Sequence, residues 1–69
     1  MWVISHHYSI NLDNCFYYTS RTKYHGGKET VFRLTDGSEI IVTCDYDTVR
    51  KQITDAMSVP NLFTVILNY

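Results

Sequence analysis

The alternation of apolar and polar positions divides the chain into short extended pieces followed by one helical stretch. Trp2-Val3-Ile4 is an apolar segment of strand length. Ser9-Ile10-Asn11-Leu12-Asp13-Asn14 alternates and then ends in turn-forming residues. From Cys15 to Tyr24 the chain is dense in aromatic and β-branched side chains, which suits a pleated, half-exposed surface. His25-Gly26-Gly27-Lys28 predicts a turn, because glycine reaches positive φ without a steric penalty.

A hairpin follows, with Glu29–Thr35 and Ser38–Cys44 flanking Asp36-Gly37. A three-residue loop of Thr35, Asp36 and a left-handed Gly37 keeps one face apolar. It is expected to set Leu34 opposite Ile40 and Phe32 opposite Val42, with Cys44 on the same face. The other face then carries Val31, Arg33, Glu39, Ile41 and Thr43.

After Cys44 the period changes from two to that of a helix. Asp45 is placed to cap it, and Tyr46, Val49, Ile53, Ala56 and Met57 fall on one stripe. Pro60 ends the helix by pushing its predecessor out of helical geometry. Leu62-Phe63-Thr64-Val65-Ile66-Leu67 then reads as a strand buried on both faces. The expected fold is α+β and mostly β. It is an antiparallel sheet of about four to five strands, a β-meander, with one short amphipathic helix (residues 46–57) packed on it and a C-terminal strand. Residues 1–69 form a single small domain.

The length changes how that pattern is weighed. With 69 residues, only about 60% of the unfolded surface can be buried. Small domains make up the deficit with disulfides, a metal or a second chain. Cys15 and Cys44 do not make a disulfide framework, and the opening residues lack the pattern of a secretory leader, so the expectation is a cytoplasmic protein with reduced thiols. No apolar run reaches the ~20 residues of a membrane span. Association remains. Val31, Ile41, Phe63, Val65 and Leu67 supply more apolar surface than one helix covers, and are expected to meet another copy.

Charge is uneven under a net −1. Residues 1–35 carry Arg21, Lys23, Lys28 and Arg33 against Asp13 and Glu29, whereas residues 36–69 carry Arg50 and Lys51 against five carboxylates. The overall balance lacks the basic excess of a dedicated DNA-coating protein. Locally, Tyr17, Tyr18, Arg21, Lys23 and Tyr24, with Lys28 and Arg33, combine aromatic and cationic groups. Tyr and Arg are enriched at protein-binding hot spots, and aromatic platforms beside a basic stripe also hold single-stranded nucleic acid or a nucleotide. Strict alternation puts Cys15, Tyr17, Arg21 and Lys23 on one face and Phe16, Tyr18 and Tyr24 on the other.

Other chemistry is thinly represented. His6, His7 and His25 do not pair with either cysteine at zinc-ligand spacing, so no metal and no cofactor is expected. Cys44 on a core face is an inert thiol, and Asp45 and Asp47 serve the helix start, leaving no catalytic constellation. The Gly26-Gly27 segment joins strands, whereas a phosphate loop opens a helix.

Ile10-Asn11-Leu12-Asp13-Asn14, a strand, Leu34-Thr35-Asp36-Gly37-Ser38 and a capped helix together resemble short bacterial and phage-borne β-meander proteins. A short, Tyr-rich chain without catalytic motifs is similar in composition to phage-encoded inhibitors of host systems. The function expected is therefore non-enzymatic. It is a self-associating interaction protein that occupies a partner protein's surface, as an inhibitor or adaptor does, through Tyr17, Tyr18, Arg21, Lys23, Tyr24, Lys28 and Arg33. The alternative is a binder of single-stranded nucleic acid or a small nucleotide through residues 15–33. No membrane partner is expected.

Overall fold

Two hairpins with the same kind of loop shape the middle of the chain. Strand β3 (Cys15–Thr22) turns into β4 (Lys28–Leu34), and β4 turns into β5 (Glu39–Val42). The structure, a computed structural model, describes residues 1–68. In the first loop Lys23 N donates to Gly27 O at 2.7 Å, enclosing Tyr24, His25 and Gly26. In the second, Leu34 N donates to Ser38 O at 2.9 Å, enclosing Thr35, Asp36 and Gly37. Each loop ends on a glycine at φ 91°, where a side chain would be strained. The first turn thus begins at Tyr24 instead of His25, and Lys28 already belongs to β4.

The second loop has the expected length and left-handed glycine, but the ladder above it is shifted. Phe32 stands opposite Ile40 and Thr30 opposite Val42, two residues from the expected pairing. Closure of Leu34 onto Ser38 fixes that register. Because the shift is even, the faces are unchanged. Phe32, Val42 and Cys44 remain buried, and Thr30 is fully buried with its hydroxyl donating to Cys44 O at 2.8 Å.

The single meander gives way to two three-stranded sheets. One has the order β3-β4-β5 and is antiparallel; the other joins β1 (Trp2–Ile4) to β2 (Ser9–Asn11) and to β6 (Thr64–Ile66), with β1 central. A single 3-10 turn, Leu12–Asn14, carries the chain from one sheet to the other, with the Asn11 side chain accepting from Asp13 N at 3.0 Å. The β1–β6 pair is parallel, a pairing that needs a long crossover. Everything from β2 to α1 (Tyr46–Met57) supplies it.

The helix starts where expected. The Asp45 carboxylate accepts from Asp47 N and Thr48 N at 3.1 and 3.3 Å. The helix packs against β3 and β4 of one sheet and β6 of the other. Val49, Ile53 and Ala56 are buried and Tyr46 is half-buried. Met57, on the expected stripe, is exposed, and Ala56 is the last helical residue to reach the core. One core results, in which Val3, Ile10 and Val65 lie side by side across β1, β2 and β6 and meet Phe32, Val42, Val49 and Ile53.

Residues 62–67 do not form a strand buried on both faces. Val65 and Leu67 are buried while Ile66 is exposed, as in any strand with one covered face. The side chains of Val65 and Leu67 therefore belong to the chain's own core. Val31 is also buried, at 8% exposure, and Ile41 is half-buried beside it; only Phe63 of the five expected interface residues stands clear of the chain.

Candidate interaction surfaces

The outward face of β3-β4-β5 is built in rows. Tyr17 faces Arg33, which faces Glu39; Thr19 faces Val31, which faces Ile41; Arg21 faces Glu29. A bulge at Phe16 separates the Cys15–Leu34 pair from the Tyr17–Arg33 pair, and so breaks strict alternation. Cys15 consequently packs against the core while Tyr17 faces outward, and the two do not share a face as expected. Burial pushes the Cys15 thiol pKa up, which favours the unreactive thiol form.

The cationic side chains on this face are already engaged. Arg33 Nη2 lies 3.0 Å from Glu39 Oε1, and Nη1 donates to Gly37 O at 3.0 Å. A hydrogen bond with Tyr17 and the adjacent Glu39 carboxylate both raise the Arg33 pKa. Arg21 Nε is 3.4 Å from Glu29 Oε1, and the Glu29 side chain is only 11% exposed. On the opposite face, Lys28 Nζ donates to Thr22 Oγ1 at 2.9 Å. The face is thus a polar lattice with opposite charges interleaved, and lacks a cationic stripe.

The expected binding residues accordingly divide. Tyr17, Arg21 and Arg33 share the outward face. Tyr18 turns to the core side, its ring 5.5 Å from Phe32 and 5.7 Å from Tyr46. That burial, with Tyr46 beside it, raises the Tyr18 pKa. Tyr24 is almost fully exposed in the first hairpin loop, edge-on to His25 at 5.0 Å, and Lys23 and Lys28 flank that loop. Among the described residues no group of three or more His, Cys, Asp and Glu side chains could hold a metal ion, and no helix is long and apolar enough to cross a membrane.

A second surface lies at the opposite sheet. On the outer face of β1 and β6, Trp2, Ile4 and Ile66 are exposed, and register places Ile4 directly beside Ile66. Val59, Leu62 and Phe63 of the connecting turn are exposed as well. Between the end of α1 and the edge of β6 runs a shallow groove of about 370 Å³, lined by Gln52, Ala56, Val59, Leu62 and Val65, with Asp55 its one titratable side chain.

The edge of β6 is open. Trp2 N donates to Phe63 O and Leu67 N to Ile4 O, both at 2.7 Å. In a parallel ladder alternate residues face the neighbour, so Phe63, Val65 and Leu67 serve β1 and the backbone groups of Thr64 and Ile66 point away from it. No strand among the described residues pairs with that side. This surface is hidden in the sequence. An all-apolar Trp-Val-Ile triplet does signal that one apolar side chain faces outward on any strand, but nothing local reveals that β6 will lie beside it.

Compared with known proteins, the chain matches no family model, no curated protein and no solved structure. Its function is read from these two surfaces.

Proposed function

We propose that this chain is a non-enzymatic interaction domain that binds protein through the apolar surface around β6, in the manner of an inhibitor or adaptor. The observation that carries the reading is the concentration of Trp2, Ile4, Val59, Leu62, Phe63 and Ile66, all exposed, around one open strand edge. Contiguous exposed apolar patches mark interaction sites, whereas single exposed apolar residues carry no such meaning. The Tyr17–Arg33–Glu39 face serves in this reading as the solvated side of the domain.

Binding of single-stranded nucleic acid or a nucleotide through residues 15–33 is the second reading. Exposed Tyr17 and Tyr24 favour it, and the carboxylates beside Arg21 and Arg33 weigh against it.

The test compares the wild type with a Phe63→Ser, Ile66→Ser double variant, whose altered side chains lie outside the core. Solution mass is followed by light scattering, and proteins captured from a lysate are compared for the two baits. The reading expects an assembly or a captured protein that the double variant loses. A wild type that stays monomeric, and captures only proteins that the Ser-substituted bait captures equally, overturns it.

A further inference from the structure

Edge strands are normally protected by charge, proline, bulges or a covering segment. Three of the four sheet edges have such protection. β3 has the bulge at Phe16 and a charged Arg21; β5 begins with Glu39 and lies beside the Ser5–Tyr8 turn across a small groove. β2 runs straight into the 3-10 turn that leads to the other sheet. β6, as short as β2, has no charge and no bulge, a groove separates its edge from the end of α1, and residues 59–68 contain no ionisable side chain.

We propose that the open edge of β6 pairs antiparallel with β6 of a second copy, about a two-fold axis passing beside Val65. The inference rests on the binding role assigned to this surface and names its occupant.

The backbone pattern suits that symmetry. In an antiparallel ladder the residues that exchange both N–H···O bonds alternate with those that exchange none. Only Thr64 and Ile66 point their backbone groups outward, so a two-fold axis at Val65 sets Thr64 against Ile66 of the copy, and Ile66 against Thr64 of the copy. Each facing pair exchanges two hydrogen bonds, while Val65 sits at the non-bonded position on the axis. The two sheets become one of six strands. An isologous contact of this kind closes at the dimer and leaves no further β6 edge exposed.

Pairing at the edge covers the β6 side of this surface, while Trp2 and Ile4, one strand further in, stay on the outer face of the enlarged sheet. With no ionisable group in residues 59–68, two copies of the strand meet without like charges facing each other.

The experiment is amide hydrogen exchange on the wild type, with solution mass, over a roughly hundredfold range of concentration. Thr64 and Ile66 amides have no acceptor within the described chain, so pairing should slow their exchange about tenfold or more as the dimer fills. Thr64→Pro removes only an outward-pointing N–H and should yield a folded monomer; Ile66→Lys gives a second variant should the proline disturb the strand. A dimer in which both amides exchange fast at every concentration, or which survives both substitutions, overturns edge pairing and leaves the binding role standing. A wild-type monomer that still captures another protein overturns the second copy as occupant. A monomer that captures nothing overturns both.

Discussion

The two sheets of this domain have the same strand number and share one core, yet they finish their outer faces in opposite ways. On β3-β4-β5 the apolar row of Val31 and Ile41 lies between a Tyr17–Arg33–Glu39 row and an Arg21–Glu29 pair, and Val31 is buried by its neighbours. On β2-β1-β6 the outer rows are Asn11–Trp2–Thr64 and Ser9–Ile4–Ile66, with Trp2, Ile4 and Ile66 exposed and no charged side chain among them. Both sheets send fully buried residues into the shared core, Phe32 from one and Val3 from the other, each at 0% exposure. The difference therefore says nothing about the core and concerns only what each sheet presents to its surroundings. One face is laced with opposite charges; the other carries exposed apolar side chains and no charge.

The largest effect should come from testing whether the sheets are one unit. Phe32 belongs to β3-β4-β5, whereas Trp2, the chain's single tryptophan, belongs to the other sheet and reports on it by fluorescence. Phe32→Ala should cost about 3–5 kcal/mol, comparable with the whole stability of a small domain. The native Trp2 fluorescence and far-UV circular dichroism should be lost together. Where that variant is already unfolded, the milder Phe32→Leu should lower both melting curves by the same interval. A Trp2 signal that outlasts the circular dichroism transition would mean two independent sheets, and the comparison would then be between domains.

Much of the β3-β4-β5 half is legible from sequence because its signals are local. Asp36-Gly37 marks a loop, Asp45 marks a cap, and Val49, Ile53 and Ala56 repeat at helical spacing. The register there follows from the loop too: three loop residues set Leu34 against Ser38 and so Phe32 against Ile40, and the expected Leu34–Ile40 pairing miscounts the loop by two residues. The Phe16 bulge is not legible, since one inserted residue leaves composition unchanged while it separates the faces of Cys15 and Tyr17. The β2-β1-β6 half is opaque for a different reason. A parallel pair between residues 2–4 and 64–66 joins distant segments of the chain, and no periodicity within either segment encodes its neighbour. The apolar run 62–67 is visible, but which of its residues become buried depends on that pairing. So the candidate surface that matters most is the least readable.

A smaller effect separates the two faces by charge. Arg33 and Glu39 are 38% and 41% exposed as side chains, so their 3.0 Å contact is screened by water. A double-mutant cycle with Arg33→Ala and Glu39→Ala should give a coupling of about 0.2–1 kcal/mol, declining as salt rises. The more informative reading is binding. If Glu39 holds Arg33 away from phosphates, the wild type should show no salt-dependent affinity for a labelled single-stranded oligonucleotide, and Glu39→Gln should show some. Steep salt dependence in the wild type would instead make this face a cationic site and reverse the assignment of the two surfaces.

The smallest effect lies in the loop that closes β4 onto β5. The Asp36 carboxylate accepts from Ser38 Oγ at 2.6 Å and from Ser38 N at 2.8 Å, and both bonds lower its pKa from the ordinary carboxylate value, the hydroxyl contact most. A carboxyl whose pKa is lower folded than unfolded binds protons more readily in the unfolded chain. Its contribution is complete above the unfolded value, about 3.9, and disappears as pH falls through the folded one. Acidification should therefore loosen this hairpin through a group that is fully exposed, so the loss is slight. Asp36→Asn keeps an acceptor for Ser38 but removes the titration, and its stability should fall less steeply than the wild type's below about pH 4. The loop amides of Gly37 and Ser38 should be the first to exchange differently in the two proteins as pH falls. Equal slopes for the two proteins would show that the Asp36–Ser38 contact carries no stability, leaving Gly37 alone to set the loop.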